Sequence, residues 1–264
     1  MVRFFLFMVV ITVVCCRVAL AANSNLQITL CYEDKEVVPF YMGQTREVPT
    51  HNPGANIEVI QQLQSRLENV RFAFIRRPWK RCLDMVEKGE AQALIGSYRK
   101  QRLSRLRYPM INDDVDTDRA LSKVGSCFIG NREFHEFWPR RHYLQQQGVA
   151  IALPHGYAIA QRLNDQPVFV HFVFSQQDAY RLLANRRVHA VMDFCQVGNQ
   201  NLYVEPADIQ GVSPLYPPFD VHYGYLIFAP KFYQAYPHRV ERIWDALKGL
   251  DTTAIYRRYL QIRD

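Results

Sequence analysis

The sequence has no CxxC pair, no nucleophile elbow, no phosphate-binding glycine loop, and no charged or low-complexity tail. Its eight histidines are scattered without ligand spacing, so neither a metal nor a bound cofactor is expected. Long apolar runs are also lacking, except at the start. There MVRFFLFMVVITVVCCRVALA combines Arg3, an apolar stretch and the small-residue end Ala19-Leu20-Ala21, the pattern of a secretory leader over residues 1–22 cut near Ala21. A membrane anchor needs about 20 uninterrupted apolar residues, and Arg17 breaks this run. A lipoprotein reading through Cys15 or Cys16 is disfavoured by Val14, where a small residue is wanted. The expected product is exported to the periplasm and soluble.

Loss of Arg3 and Arg17 with the leader lowers the formal charge from +7 to +5. A mildly basic chain suits an anionic or zwitterionic partner. The cationic stretch RKQRLSRLR (99–107) has no nucleic-acid-binding motif around it, and no nucleic-acid partner is expected. Four cysteines remain, Cys31, Cys82, Cys127 and Cys195. In an oxidising compartment they can pair in about three complete ways, among which the sequence does not choose.

About 240 residues fit either one large domain or two lobes. The order of elements favours the second. Leu26, Ile28 and Leu30 alternate as in a strand ending at Glu33-Asp34, and Ile57, Ile60, Leu63 and Leu67 recur at helical spacing. A strand follows at 70–75, then a helix opened by Pro78 and closed by Gly89, then a short strand at 92–97. The same grammar returns with a strand at 149–153, a Pro154-His155-Gly156 turn, a helix to Leu163, alternating VFVHFVF (168–174), a helix through Leu183, and a strand ending at Asp193. Such βαβ repeats predict doubly wound, mainly parallel α/β sheets. A polar connector, NDDVDTD (112–118), separates the units. The strand YGYLIFA (223–229) and the closing helices suggest a return to the first lobe, hence two crossings and a hinge. The expected boundaries are 23–112 with 219–264 for one lobe and 113–218 for the other.

Ligands of open parallel sheets sit beyond the carboxyl ends of strands. Ser97, Tyr98 and Arg102 stand after one such end, and Arg102 is the candidate carboxylate clamp, because a guanidinium meets a carboxylate at two points. Asp193, at the end of the matching strand, is the candidate partner for a cationic group. The turn at Gly156 and Tyr157 offers backbone amides to an anion. Tyr32, Glu33, Phe40 and Trp79 lie near strand ends or helix starts as candidate walls.

The segments PFYMG (39–43), PGANIEVI (53–60), RPWKRCLDMVEKGEAQALIGSYRKQR (77–102), RYPM (107–110), GVAIALPHGYA (148–158), RRVHAVMD (186–193), YGYLIFAPK (223–231) and IYRRYL (255–260) together resemble the extracellular solute-binding proteins of family 3, the polar-amino-acid-binding group serving ABC transporters. The resemblance implies a two-lobed periplasmic-binding-protein-like fold of type II. It also implies a monomer without enzymatic activity that holds an amino acid or organic acid through Arg102, Asp193 and the Gly156-Tyr157 turn, with an ABC permease or a membrane receptor as partner. Three departures weaken an ordinary amino-acid ligand: a short loop from Gly96 to Arg102, no serine or threonine near Tyr157, and Asp193 one residue early in its strand. A periplasmic dehydratase on the same scaffold, with Glu33 or Asp34 as general acid, is the alternative, as is the ligand-binding input of a sensor.

Overall fold

The first strand, β1 (Leu26–Glu33), buries Leu26, Ile28 and Leu30 and runs parallel to β2 (Val70–Arg77) on one side and β3 (Ala93–Ser97) on the other. This computed structural model describes residues 25–143, 148–155, 159–163, 166–203, 205 and 209–261. The expected leader, Gly156 and Tyr157 lie outside the described residues. The crossover helices are α1 (Ala55–Ser65) and α2 (Trp79–Lys88). Pro78 caps the start of α2, and Gly89 ends it at φ 81°, where a Cβ would be strained.

A two-residue hairpin, β4 (Met110–Ile111) with β5 (Asp114–Val115), leads to β6 (Ser122–Gly130). The strand β6 has no counterpart among the sequence expectations. Eight of its nine residues are buried, so SKVGSCFIG carries none of the alternation that marks a half-exposed strand. After it come α3 (Arg132–Phe137), β7 (Ala150–Pro154), α4 (Ala160–Leu163), β8 (Phe169–Val173), α5 (Gln176–Ala184) and β9 (Ala190–Val197). Two short strands, β10 (Gln200–Asn201) and β11 (Ser213–Pro214), precede β12 (Asp220–Phe228). The chain ends in α6 (Pro230–Ala235), α7 (Pro237–Asp245) and α8 (Thr253–Gln261).

The main strands form one continuous sheet in the order β2-β1-β3-β12-β6-β9-β7-β8. Its outer thirds are parallel, while β12 is antiparallel to both of its neighbours. Residues 224–228 of β12 pair with β3 and residues 220–224 with β6, so this one strand belongs to both halves. Hydrophobic clusters cover the two faces around β1–β3, and separate clusters cover the two faces around β7–β9. Helices α7 and α8 return Val240, Ile243, Trp244, Tyr256 and Tyr259 to the core that β1 and α1 build. Trp244 Nε1 donates to the Leu226 carbonyl at 2.7 Å, tying α7 to β12.

The structure chooses the cysteine pairing. Cys31 of β1 bonds Cys82 of α2, and Cys127 of β6 bonds Cys195 of β9. The bridges span 51 and 68 residues, and loop-closure entropy puts the contribution of each near ~4 kcal/mol.

Candidate ligand-binding site

Three buried residues, Ala93, Leu94 and Ile95, carry β3 through the core before it reaches Gly96 and Ser97. A Cβ on Gly96 would come within 2.9 Å of Cη2 of Trp79, so the indole packs on the strand only because glycine is there. Ser97 makes the last pairing, opposite Gly224, and Tyr98 and Arg99 then leave the sheet. All three open on a cavity of about 350 Å³, at the small end of the range usual for small-molecule sites. Arg162 of α4 lines the cavity from the other half of the chain, and β12 contributes Asp220, His222, Tyr223 and Tyr225. Val221 of β12, with Val115 and Thr117 of the connector, completes the lining. The tyrosines form a continuous aromatic group: Tyr98 meets Tyr108 edge-on at 5.3 Å, Tyr108 meets Tyr225 at 6.4 Å, and Tyr223 stacks by Tyr225 at 6.4 Å.

Charge in the cavity centres on Asp220, which is only 6% exposed. One carboxylate oxygen takes the Arg162 guanidinium and the other takes Nε2 of His222 at 2.8 Å. Burial, followed by the charges of Arg162 and Arg99, holds the pKa of His222 below its ordinary value. The nearby carboxylate does not reverse this, because Arg162 already neutralises it. The imidazole is therefore neutral near pH 7, with its proton on Nε2 donated to Asp220. Arg99 is exposed, and its guanidinium has no acidic partner among the described residues.

No protein-family model matches the sequence, and no curated protein matches it either. Solved structures do. The unliganded open L-cystine solute receptor of Neisseria gonorrhoeae superposes with a TM-score of 0.60 at 13% identity, over 90% of this chain and 94% of that one. An ancestral cationic amino acid solute binding protein, reconstructed as a precursor of cyclohexadienyl dehydratase, gives 0.61 at 12% identity over 88% and 95%. The probable amino-acid ABC transporter extracellular-binding protein ytmK from Bacillus subtilis gives 0.58 at 10% identity over 89% and 97%. The chain has the two-lobed fold of these binding proteins.

Within that two-lobed frame the residues singled out from sequence separate into three groups. Ser97 and Tyr98 reach the cavity. Arg102 does not line it: the short 3-10 turn Lys100–Arg102 carries its guanidinium carbon over the Trp79 ring, 5.6 Å from the centroid. It also lies near the Tyr108 hydroxyl, whose pKa burial raises and Arg102 draws down. Trp79 is thus packed between Gly96 and Arg102 rather than offered to a guest. Asp193 is the second departure. Strand β9 continues past it to Val197, so Asp193 lies within the strand, on the face of Val191 and Cys195, and accepts from Tyr180 Oη at 3.0 Å. Its neighbour Phe194 faces the other way and meets Phe40 edge-on at 5.4 Å.

The remaining candidates serve the first core. Tyr32 is buried beside Tyr41 at 5.2 Å and beneath the guanidinium of Arg76, itself fully buried and donating to the Gly43 carbonyl at 2.7 Å. Phe40 packs on Phe194 and Tyr256. Glu33 is half-buried at the end of β1, opposite Arg77, and burial holds its pKa above the usual carboxylate value, with Lys35 opposing and Asp34 adding to the shift. It does not line the cavity. Sequence reasoning missed Arg99, Arg162, Asp220 and His222. One signal was present: FDVHYGYL places Asp220 and His222 two apart at the head of an apolar strand, hence on one face.

Proposed function

We propose that the protein is a periplasmic solute-binding protein, cleaved near Ala21, that captures a small amino-acid-like or carboxylate ligand and presents it to an ABC transporter. The lobes are residues 23–112 with 219–264, and 113–218. Ser97, Tyr98 and Arg99 hold the guest from one lobe and Arg162 from the other, with β12 between them. What carries this reading is that the cavity draws its lining from both halves and from the strand they share. A guest that touches both halves favours their approach, and a membrane partner can then read occupancy as shape. Among the described residues no helix is long and apolar enough to cross a membrane.

A thermal-shift screen of amino acids, small peptides and organic acids, followed by calorimetry, tests the reading. It predicts a saturable shift from at least one compound and a more compact scattering profile for the complex. No shift from any compound overturns it. A dehydratase-like enzyme is the second reading, favoured by the likeness to the ancestral dehydratase precursor. It needs a positioned general acid, and Glu33, the acid with the raised pKa, is not on the cavity. Turnover of a prephenate-like acid would replace binding with catalysis.

A further inference from the structure

The charges around the cavity separate amino acids from their deaminated counterparts. We infer that the ligand is a carboxylate with an aromatic or apolar body and no amino group, an inference that rests on the solute-binding reading above. An amino acid brings an ammonium as well as a carboxylate, and each gives up hydration on entering a cavity and needs a partner there. Among the described residues Asp220 is the acid on the lining, and both of its oxygens are engaged, by Arg162 and by His222. An ammonium reaching it would have to displace His222 or share a carboxylate that is only 6% exposed with the Arg162 guanidinium already on it.

Neighbouring acids offer no substitute. Asp116 is buried, accepts from the Asp118 amide at 3.0 Å and pairs with Arg119 at 3.3 Å. Asp114 is not on the lining; it sits on the exposed hairpin and accepts from the Val115 amide at 2.7 Å. Asp193 is in the core under α5, bonded by Tyr180.

An anion finds the reverse situation. Arg99 is exposed on the rim with no acidic partner among the described residues, and Arg162 has guanidinium donors beyond the one that Asp220 takes. Two forks from opposite sides suit one carboxylate. Besides Ser97, Thr117 and His222, the rest of the lining is Tyr98, Tyr223, Tyr225, Val115 and Val221, a surface for a ring or an alkyl chain.

Calorimetry at pH 7.5 on the purified protein, with 3-phenylpropanoate and L-phenylalanine as probes, tests this directly, since the two differ only by the amine. The expected result is binding of 3-phenylpropanoate at least about tenfold tighter, and a loss of at least about tenfold in Arg99→Ala with Tm little changed, since this exposed side chain makes no salt bridge among the described residues. The pairs 4-methylpentanoate with leucine and succinate with aspartate extend the test to other bodies. Equal or tighter binding of the amino acid in whichever pair binds overturns the inference while the solute-binding reading stands. Undiminished binding of the acid by Arg99→Ala also overturns it. If no member of any pair binds and the wider screen is silent, the solute-binding reading itself fails and the inference falls with it.

Discussion

At the end of β3 the chain turns Ser97, Tyr98 and Arg99 outward onto the cavity, whereas in β9 it turns Asp193 inward onto Tyr180. The two strands hold matching places in two α/β units of similar plan. They differ in where pairing stops. Strand β3 ends at Ser97, so the next residues are free to face a guest, while β9 runs four residues beyond Asp193, to Val197. With a side-chain period of two, a carboxylate one position early belongs to the opposite face. Chemical type alone therefore does not make a strand-end residue a ligand contact; the pairing limit and the parity of the position decide.

Each half also carries its own disulfide, and neither bridge crosses between halves. The largest expected effect follows from this symmetry. Replacing Cys127 and Cys195 together by alanine should lower the unfolding free energy by about 4 kcal/mol, measured by urea titration, and replacing Cys31 and Cys82 should do nearly the same. If one pair proves neutral, the two halves are not equally dependent on their staples.

A smaller effect separates Asp193 from Arg99. Asp193→Ala leaves the Tyr180 hydroxyl without that acceptor inside the second core and should cost about 1 to 3 kcal/mol of stability. Affinity for the solute should stay within about twofold, because the carboxylate faces α5 and not the cavity. Arg99→Ala should do the opposite. A tenfold loss of affinity in Asp193→Ala with unchanged stability would break the comparison between the strand ends.

Much of the fold is legible in the sequence where an element leaves one face exposed. The Leu26-Ile28-Leu30 alternation that opens β1 and the stripe of α2 between Pro78 and Gly89 each carry the period of a half-buried element. Strand β6 is illegible for the converse reason, since burial on both faces erases the period. The site is less legible than the fold. Arg99 and Arg102 belong to one cationic stretch, and only the 3-10 turn between them decides that the first faces the cavity and the second lies on Trp79. Arg162 comes from a four-residue helix with no stripe, and it is brought to Asp220 by the path of the chain rather than by any local pattern.

Arg102 sharpens the same contrast with a modest expected effect. Arg102→Ala removes a cation–π contact with half-buried Trp79 and should cost about 0.5 to 1 kcal/mol of stability, read from the urea midpoint. Its effect on affinity should be smaller than that of Arg99→Ala. The reverse order would return the clamp to Arg102 and make its stacking on Trp79 a resting position.

The smallest effect is the pH dependence set by His222, which distinguishes the cavity from the second core. Its pKa is lowered in the fold by burial, Arg162 and Arg99, while the unfolded chain titrates near the ordinary value of about 6.5. Below that value the unfolded state binds a proton that the folded state refuses, so this residue makes stability rise with pH through the window between the two pKa values and adds nothing above it. Urea midpoints taken from pH 5 to 8 should show that slope, and His222→Gln should flatten it relative to the parent protein. An anion bound beside Arg99 and Arg162 offsets the charges that depress the pKa, so saturation with 3-phenylpropanoate should flatten the parent's slope as well. A slope that survives His222→Gln would assign the titration to other groups, and one that survives saturation would put the bound anion away from this histidine.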